Sequence, residues 1–199
     1  MKKSLSLFLL VGLICFAGTA HADAFQTYAL SWSGASFGNN ATATGLMTLD
    51  LTTLPNPAGP TQVDIYNDIT SLSVTVTGAS SGNGTFTKAD LIPASSFGTY
   101  TYWSTDGVAL DMNSELVGQS TPGGAWGTDT SCCGDFNLFF ASPGPLGTFY
   151  FTMTTDGGGE DPMLLTSFAP TAVPEPGSIF LLGSGLAGIA GVIRRRIAK

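Results

Sequence analysis

The chain has 199 residues, with fourteen Asp and Glu, seven Lys and Arg, one His, 26 Gly and only 11% charged side chains. Between Asp23 and Thr171 stand thirteen acids and a single base, Lys88, a formal charge of about −12. That balance excludes nucleic acid as a partner, because phosphate binding needs a basic patch to release counterions.

In chain order, Met1-Lys2-Lys3 is a positive start, Leu5 to Ala17 an apolar core, and Ala20-His21-Ala22 a small-x-small cleavage site. Residues 1–22 therefore read as a secretory signal peptide handled by the secretory translocon, with Ala22-Asp23-Ala24 offering a second cleavage site. Cys15 and the only histidine, His21, leave with it. A serine or cysteine nucleophile usually needs a histidine or lysine base, so classical nucleophilic catalysis is nearly excluded from what remains.

Residues 23–171 form one domain's worth of chain, about 150 residues, enough to bury a sizeable core. Alternation of apolar with small or polar residues marks half-buried strands: Tyr28, Leu30 and Trp32; Leu72, Val74 and Val76; Phe136, Leu138 and Phe140; Phe149, Phe151 and Met153. Turn signals separate them at Gly38-Asn39-Asn40, Pro55 to Pro60, Gly82-Asn83-Gly84, Pro122-Gly123-Gly124, Pro143-Gly144-Pro145 and Asp156 to Gly159. The pattern predicts an all-β fold, a single antiparallel β-sandwich or jelly-roll-like ectodomain of eight to eleven strands, with Leu164 to Thr171 ending it.

Three groups of residues carry candidate chemistry. Cys132-Cys133 are the two thiols of the exported part, and adjacent cysteines close only a strained eight-membered ring. A vicinal disulfide, free or intermolecularly paired thiols, and redox or soft-metal chemistry all stay open, although no histidine remains to complete a zinc site. The acids Asp106, Asp111 and Glu115, and Asp156, Glu160 and Asp161, lie close in sequence, which fits solvated loops, a calcium loop or a carboxylate pair for glycan hydrolysis. Trp32, Trp103 and Trp126, with Tyr100 and Tyr102, suit either core packing or flat platforms for sugar rings. Because Tyr100 and Tyr102 alternate with Trp103, not all are expected to be buried.

The tail, residues 172–199, reads as an address. Val173-Pro174-Glu175-Pro176 is an extended strip, since the prolines cannot continue a helix backwards. The apolar stretch 177–193 follows; its sixteen residues from Ser178 to Ile193 give a helix of roughly 24 Å, short for a hydrocarbon core of about 30 Å. Arg194, Arg195 and Arg196 then hold residues 194–199 on the cytoplasmic side and place the preceding chain outside.

The Val-Pro-Glu-Pro motif, the run Leu181-Leu182-Gly183-Ser184-Gly185-Leu186-Ala187-Gly188 and the three arginines, in that order, resemble a PEP-CTERM protein-sorting domain. The resemblance implies recognition of Pro174, Glu175 and Pro176 by a membrane-embedded exosortase, then release or transfer to the cell surface. The stretches Ala29 to Gly38 and Gly134 to Leu138 are similar to segments of other PEP-CTERM ectodomains and imply no activity. The expectation is an exported, tail-processed cell-surface or extracellular-matrix protein, non-enzymatic, without a cofactor, transiently in the membrane, and by the resemblance associated with exopolysaccharide. A carbohydrate- or calcium-binding module is the alternative, and a carboxylate-pair glycan hydrolase the third reading.

Overall fold

The computed structural model describes residues 24–92, 101–130, 134–141, 150–154, 161–171, 183–185 and 188. The expected signal peptide and most of the expected tail lie outside these residues. Among them the chain is β-rich, with strands β1 (Phe25–Ser33), β2 (Thr42–Asp50), β3 (Val63–Asp64), β4 (Ile69–Thr77), β5 (Gly84–Thr87), β6 (Tyr102–Trp103), β7 (Ser120–Thr121), β8 (Gly124–Ala125), β9 (Phe136–Ala141), β10 (Tyr150–Thr154) and β11 (Leu164–Pro170). Two short 3-10 turns, Ala35–Phe37 and Lys88–Asp90, interrupt them.

Five strands make one sheet in the order β11-β1-β2-β4-β5, four make a second in the order β10-β9-β6-β3, and β7 pairs with β8 in a small hairpin. Every pairing is antiparallel. The all-β expectation is met, and the two larger sheets share one core of Tyr28, Leu30, Trp32, Met47, Leu72, Val74, Phe136, Leu138 and Phe140 among others.

Periodicity explains which faces meet. In β1, Tyr28, Leu30 and Trp32 are buried while their neighbours are less so; in β4, Leu72, Val74 and Val76 repeat the pattern. Side chains two apart share a face of a strand, so each run presents one apolar edge inward. Each fully buried large apolar side chain contributes about 1.5–3 kcal/mol relative to exposure. In β9 the alternation does not mark a water-facing side, since Asn137 and Phe139 are buried as well as Phe136, Leu138 and Phe140.

Turns fall where glycine relieves the backbone. Gly38 takes φ 76° after the first 3-10 turn, and the two-residue loop Pro122-Gly123 joins β7 to β8. The chain from Ser104 to Gln119 has no strand but is fixed by side chains. Asn56 does this from a distance: its Nδ2 donates to the Leu110 carbonyl at 2.8 Å and its Oδ1 accepts from the Leu110 N–H at 2.8 Å. One amide side chain thus replaces a rung of backbone pairing.

Candidate functional site

The strongest expected site, Val173 to Pro176 with Arg194 to Arg196, lies outside the described residues, as does Cys132-Cys133. In the tail Gly183, Ser184, Gly185 and Gly188 are helical and exposed. Among the described residues no helix is long and apolar enough to cross a membrane.

The tryptophans are not sugar platforms. Trp32, Trp103 and Trp126 are 2%, 0% and 0% exposed, and they sit in an aromatic cluster at the centre of the core. Trp126 meets Trp103 edge-on at 6.3 Å and Phe168 at 5.8 Å, while Trp32 stacks on Phe136 at 6.4 Å and Tyr28 meets Phe168 edge-on at 5.0 Å. Edge-to-face contacts align ring edges with ring faces and add to the burial gain. Trp126 also donates its Nε1–H to the Ser104 carbonyl at 2.7 Å. The alternation around Trp103 is real, with Tyr102 half-buried; Tyr100 lies outside the described residues. What the sequence could not reveal is that a second sheet and an irregular loop close over these rings.

The acids near Asp106 separate into different tasks. Asp111 accepts from Ser114 Oγ at 2.7 Å and from the Asn113 N–H at 3.0 Å, bonds that hold its carboxyl below the ordinary carboxylate range, with the Ser114 bond foremost. Glu115 reaches the edge of β11, where it accepts from the Phe168 N–H at 2.6 Å and Ser167 Oγ at 2.6 Å. Asp161 accepts from the Ser80 N–H at 2.7 Å and from Ser80 Oγ, and the hydroxyl bond is the main reason its carboxyl also titrates low. Asp156 and Glu160 lie outside the described residues. Carboxylates that accept several hydrogen bonds keep their charge to lower pH.

Asp106 belongs elsewhere. Its backbone is left-handed at φ 53°, and its Oδ2 accepts from the Gly123 N–H at 3.1 Å and Thr121 Oγ1 at 3.2 Å, capping the β7–β8 hairpin. A Cβ on Gly123 would lie 2.3 Å from that oxygen, so a larger residue there would displace the Asp106 carboxylate from its cap. Beside it opens a polar cleft of about 510 Å³ lined by Gln62, Ser104, Asp106, Thr128, Asp129 and Asp135 among others. Asp135 accepts from the Gly127 N–H at 2.7 Å, yet burial pushes its carboxyl above the ordinary range, with the charges of Asp106 and Asp129 adding to the rise. The sequence grouped Asp106 with Asp111 and Glu115; the fold groups it with Asp129 and Asp135, more than twenty residues on. Among the described residues no three His, Cys, Asp or Glu side chains are placed to hold a metal ion.

Lys88 is spent internally. Its Nζ donates to the Ile69 carbonyl and lies 5.0 Å from the centre of the Tyr66 ring. A cation over an aromatic face is attracted by the ring's quadrupole.

Fold and side chains together define a class: an all-β protein of antiparallel sheets whose three tryptophans are committed to its core. Residues 172–196 match the model of the PEP-CTERM protein-sorting motif, and the chain is a PEP-CTERM sorting domain-containing protein. The motif implies an exported protein, held transiently in the membrane and processed by an exosortase. The match covers the tail and none of the strands. No curated protein and no solved structure matches the chain.

Proposed function

We propose that the chain is a non-enzymatic cell-surface or extracellular-matrix protein, delivered by its sorting tail and associated there with exopolysaccharide. The observation that carries this reading is the sorting motif at residues 172–196. Its arrangement supports delivery through a processed intermediate. Pro174 and Pro176 are residues that do not continue a helix backwards, and the arginines after the apolar stretch favour the cytoplasmic side for the residues that follow it. In this reading residues 1–22 bring the chain to the translocon, and 23–171 are the part delivered. The base-poor composition supports a structural or adhesive task over classical nucleophilic catalysis.

The test compares host cells producing the natural chain with cells producing the triple variant Pro174→Ala, Glu175→Ala, Pro176→Ala. Processing predicts that the natural chain appears shortened at the surface or in the medium, while the variant accumulates at full length in the membrane fraction. Equal size and equal location for both would end the proposal.

A further inference from the structure

We infer that the outer face of the five-stranded sheet is a docking surface for an uncharged polysaccharide, and that its serine and threonine hydroxyls, rather than any aromatic platform, make the contact. The inference rests on the polysaccharide association proposed above and assigns it a place. It starts from the register of β1, β2, β4 and β5. On the side away from the core these strands present Phe25, Thr27, Ala29, Ser31 and Ser33; Thr42, Thr44, Leu46, Thr48 and Asp50; Ser71, Ser73, Thr75 and Thr77; Thr85 and Thr87. Twelve of these sixteen positions are Ser or Thr, and the one charged side chain, Asp50, stands opposite Phe25 at the end of the face. In an exposed sheet, charged side chains normally keep chains apart. Their absence from all but one end of the face therefore needs a reason beyond solubility, the more so in a chain with thirteen acids between Asp23 and Thr171.

The hydroxyls stand in rows. Ser31, Thr44, Thr75 and Thr85 occupy one register line across four strands, and Ser33, Thr42 and Thr77 the next. Side-chain bonds between strands fix their orientation: Thr42 with Thr77 at 3.1 Å, Thr75 with Thr85 at 2.9 Å, Thr27 with Thr48 at 2.9 Å and Ser71 with Thr48 at 2.9 Å. Threonine is stiff at χ1, so the array loses little side-chain freedom on binding. Strand spacing of about 4.8 Å and a rise of about 3.3 Å per residue give a face of about 14 Å by 20 Å.

Charge selects the occupant. A polyanion is repelled by the overall charge of the domain, and a cation is drawn to the acidic cleft at Asp106, Asp129 and Asp135 rather than to this face. An uncharged polymer of sugar residues meets neither effect. Its hydroxyls exchange donors and acceptors with the rows, and its C–H faces rest on the threonine methyls and on Leu46, which is 53% exposed in the middle of the field. A second copy of the chain is a poorer fit, because stacking two such faces removes many hydroxyls from water for little apolar gain.

The full chain in mild detergent is run on native gels containing hydroxyethylcellulose or dextran, both uncharged, or alginate, a polyanion. The natural chain, the double variant Thr44→Lys, Thr75→Lys and the control Val108→Lys, an exposed position outside the face, are compared, with melting curves to confirm folding. The expected result is retardation by at least one uncharged polymer and none by alginate, an affinity weakened about tenfold or more in the double variant, and no change in the control. Should the lysines unfold the sheet, Thr44→Ala, Thr75→Ala replaces them, with the same weakening expected. Equal retardation of the natural chain and a folded face variant would overturn the assignment of the face while leaving polysaccharide association standing. No retardation of the natural chain by either uncharged polymer would overturn the inference together with the association on which it rests. A natural chain that is dimeric by light scattering and a face variant that is monomeric would make the occupant a second copy, and would overturn it as well.

Discussion

Gly45 lies on the core side of β2 between Leu30 of β1 and Val74 of β4. A Cβ there would stand 2.5 Å from the Ser73 carbonyl oxygen and 2.7 Å from Val74 Cγ2. Glycine in a strand interior ordinarily costs stability, but here the close approach of β4 excludes anything larger. Gly45→Ala is therefore expected to destabilise by about 1–3 kcal/mol, read as a lower urea midpoint with an unchanged slope; an unchanged or higher midpoint would contradict this packing. The same glycine explains what the sequence concealed. β1 and β4 were legible because Tyr28, Leu30, Trp32 and Leu72, Val74, Val76 are large and evenly spaced. In β2 the inward positions begin with Ala43 and Gly45, too small to register as an apolar run, so a central strand gave no signal. Trp126 makes the converse point. Its chemistry was legible, but its burial depends on Ser104 and Phe168, 22 and 42 residues away.

At the scale of elements, β11 would be an open edge if nothing covered it. One side pairs with β1, while on the other the segment at Glu115 closes against it. The Leu116 N–H donates to the Phe168 carbonyl at 3.0 Å, and the Glu115 carboxylate takes the Phe168 N–H and the Ser167 hydroxyl. Covering an edge in this way removes a template for pairing with other chains. Glu115→Ala leaves the Phe168 N–H without its charged acceptor, and the expected loss is about 1–2 kcal/mol, small because Glu115 is itself exposed. Hydrogen exchange at the Phe168 amide should accelerate by more than global stability alone predicts, and Glu115→Gln, which keeps an acceptor, should recover part of the protection. Equal exchange in all three chains would show that the carboxylate does not hold the edge. The sequence correctly placed Glu115 in a loop after Asp111. It could not show that the carboxylate reaches a strand more than fifty residues later, because tertiary register leaves no mark in local spacing.

Over the whole molecule the acids pull stability in two directions. Asp50, Asp111 and Asp161 have carboxyls lowered chiefly by the hydroxyls of Thr52, Ser114 and Ser80. Their contribution is present above the unfolded value of about 3.9 and is lost as pH falls through their lower folded values. Asp135 has the opposite sign. Burial, then Asp106 and Asp129, raise its folded value while the Gly127 N–H opposes. The native chain therefore holds this proton more tightly than the unfolded chain does, and stability declines as pH rises from about 3.9 through the raised folded value. With Lys88 the only base between Asp23 and Thr171, repulsion among the ionised carboxylates adds to the decline towards neutrality. The melting temperature is accordingly expected to be highest in mild acid and to fall both towards lower pH and towards neutrality. Asp135→Asn, which keeps an oxygen for the Gly127 N–H, should raise the melting temperature at pH 7 and flatten the alkaline side while leaving the acid side unchanged. A natural profile with no decline between about pH 4 and pH 7, or a variant with the same slope as the natural chain, would place the origin of the decline away from the cleft. The test separates one half-buried group from the diffuse charge of the domain, because added salt weakens the diffuse repulsion and leaves the cost of burying Asp135 largely in place.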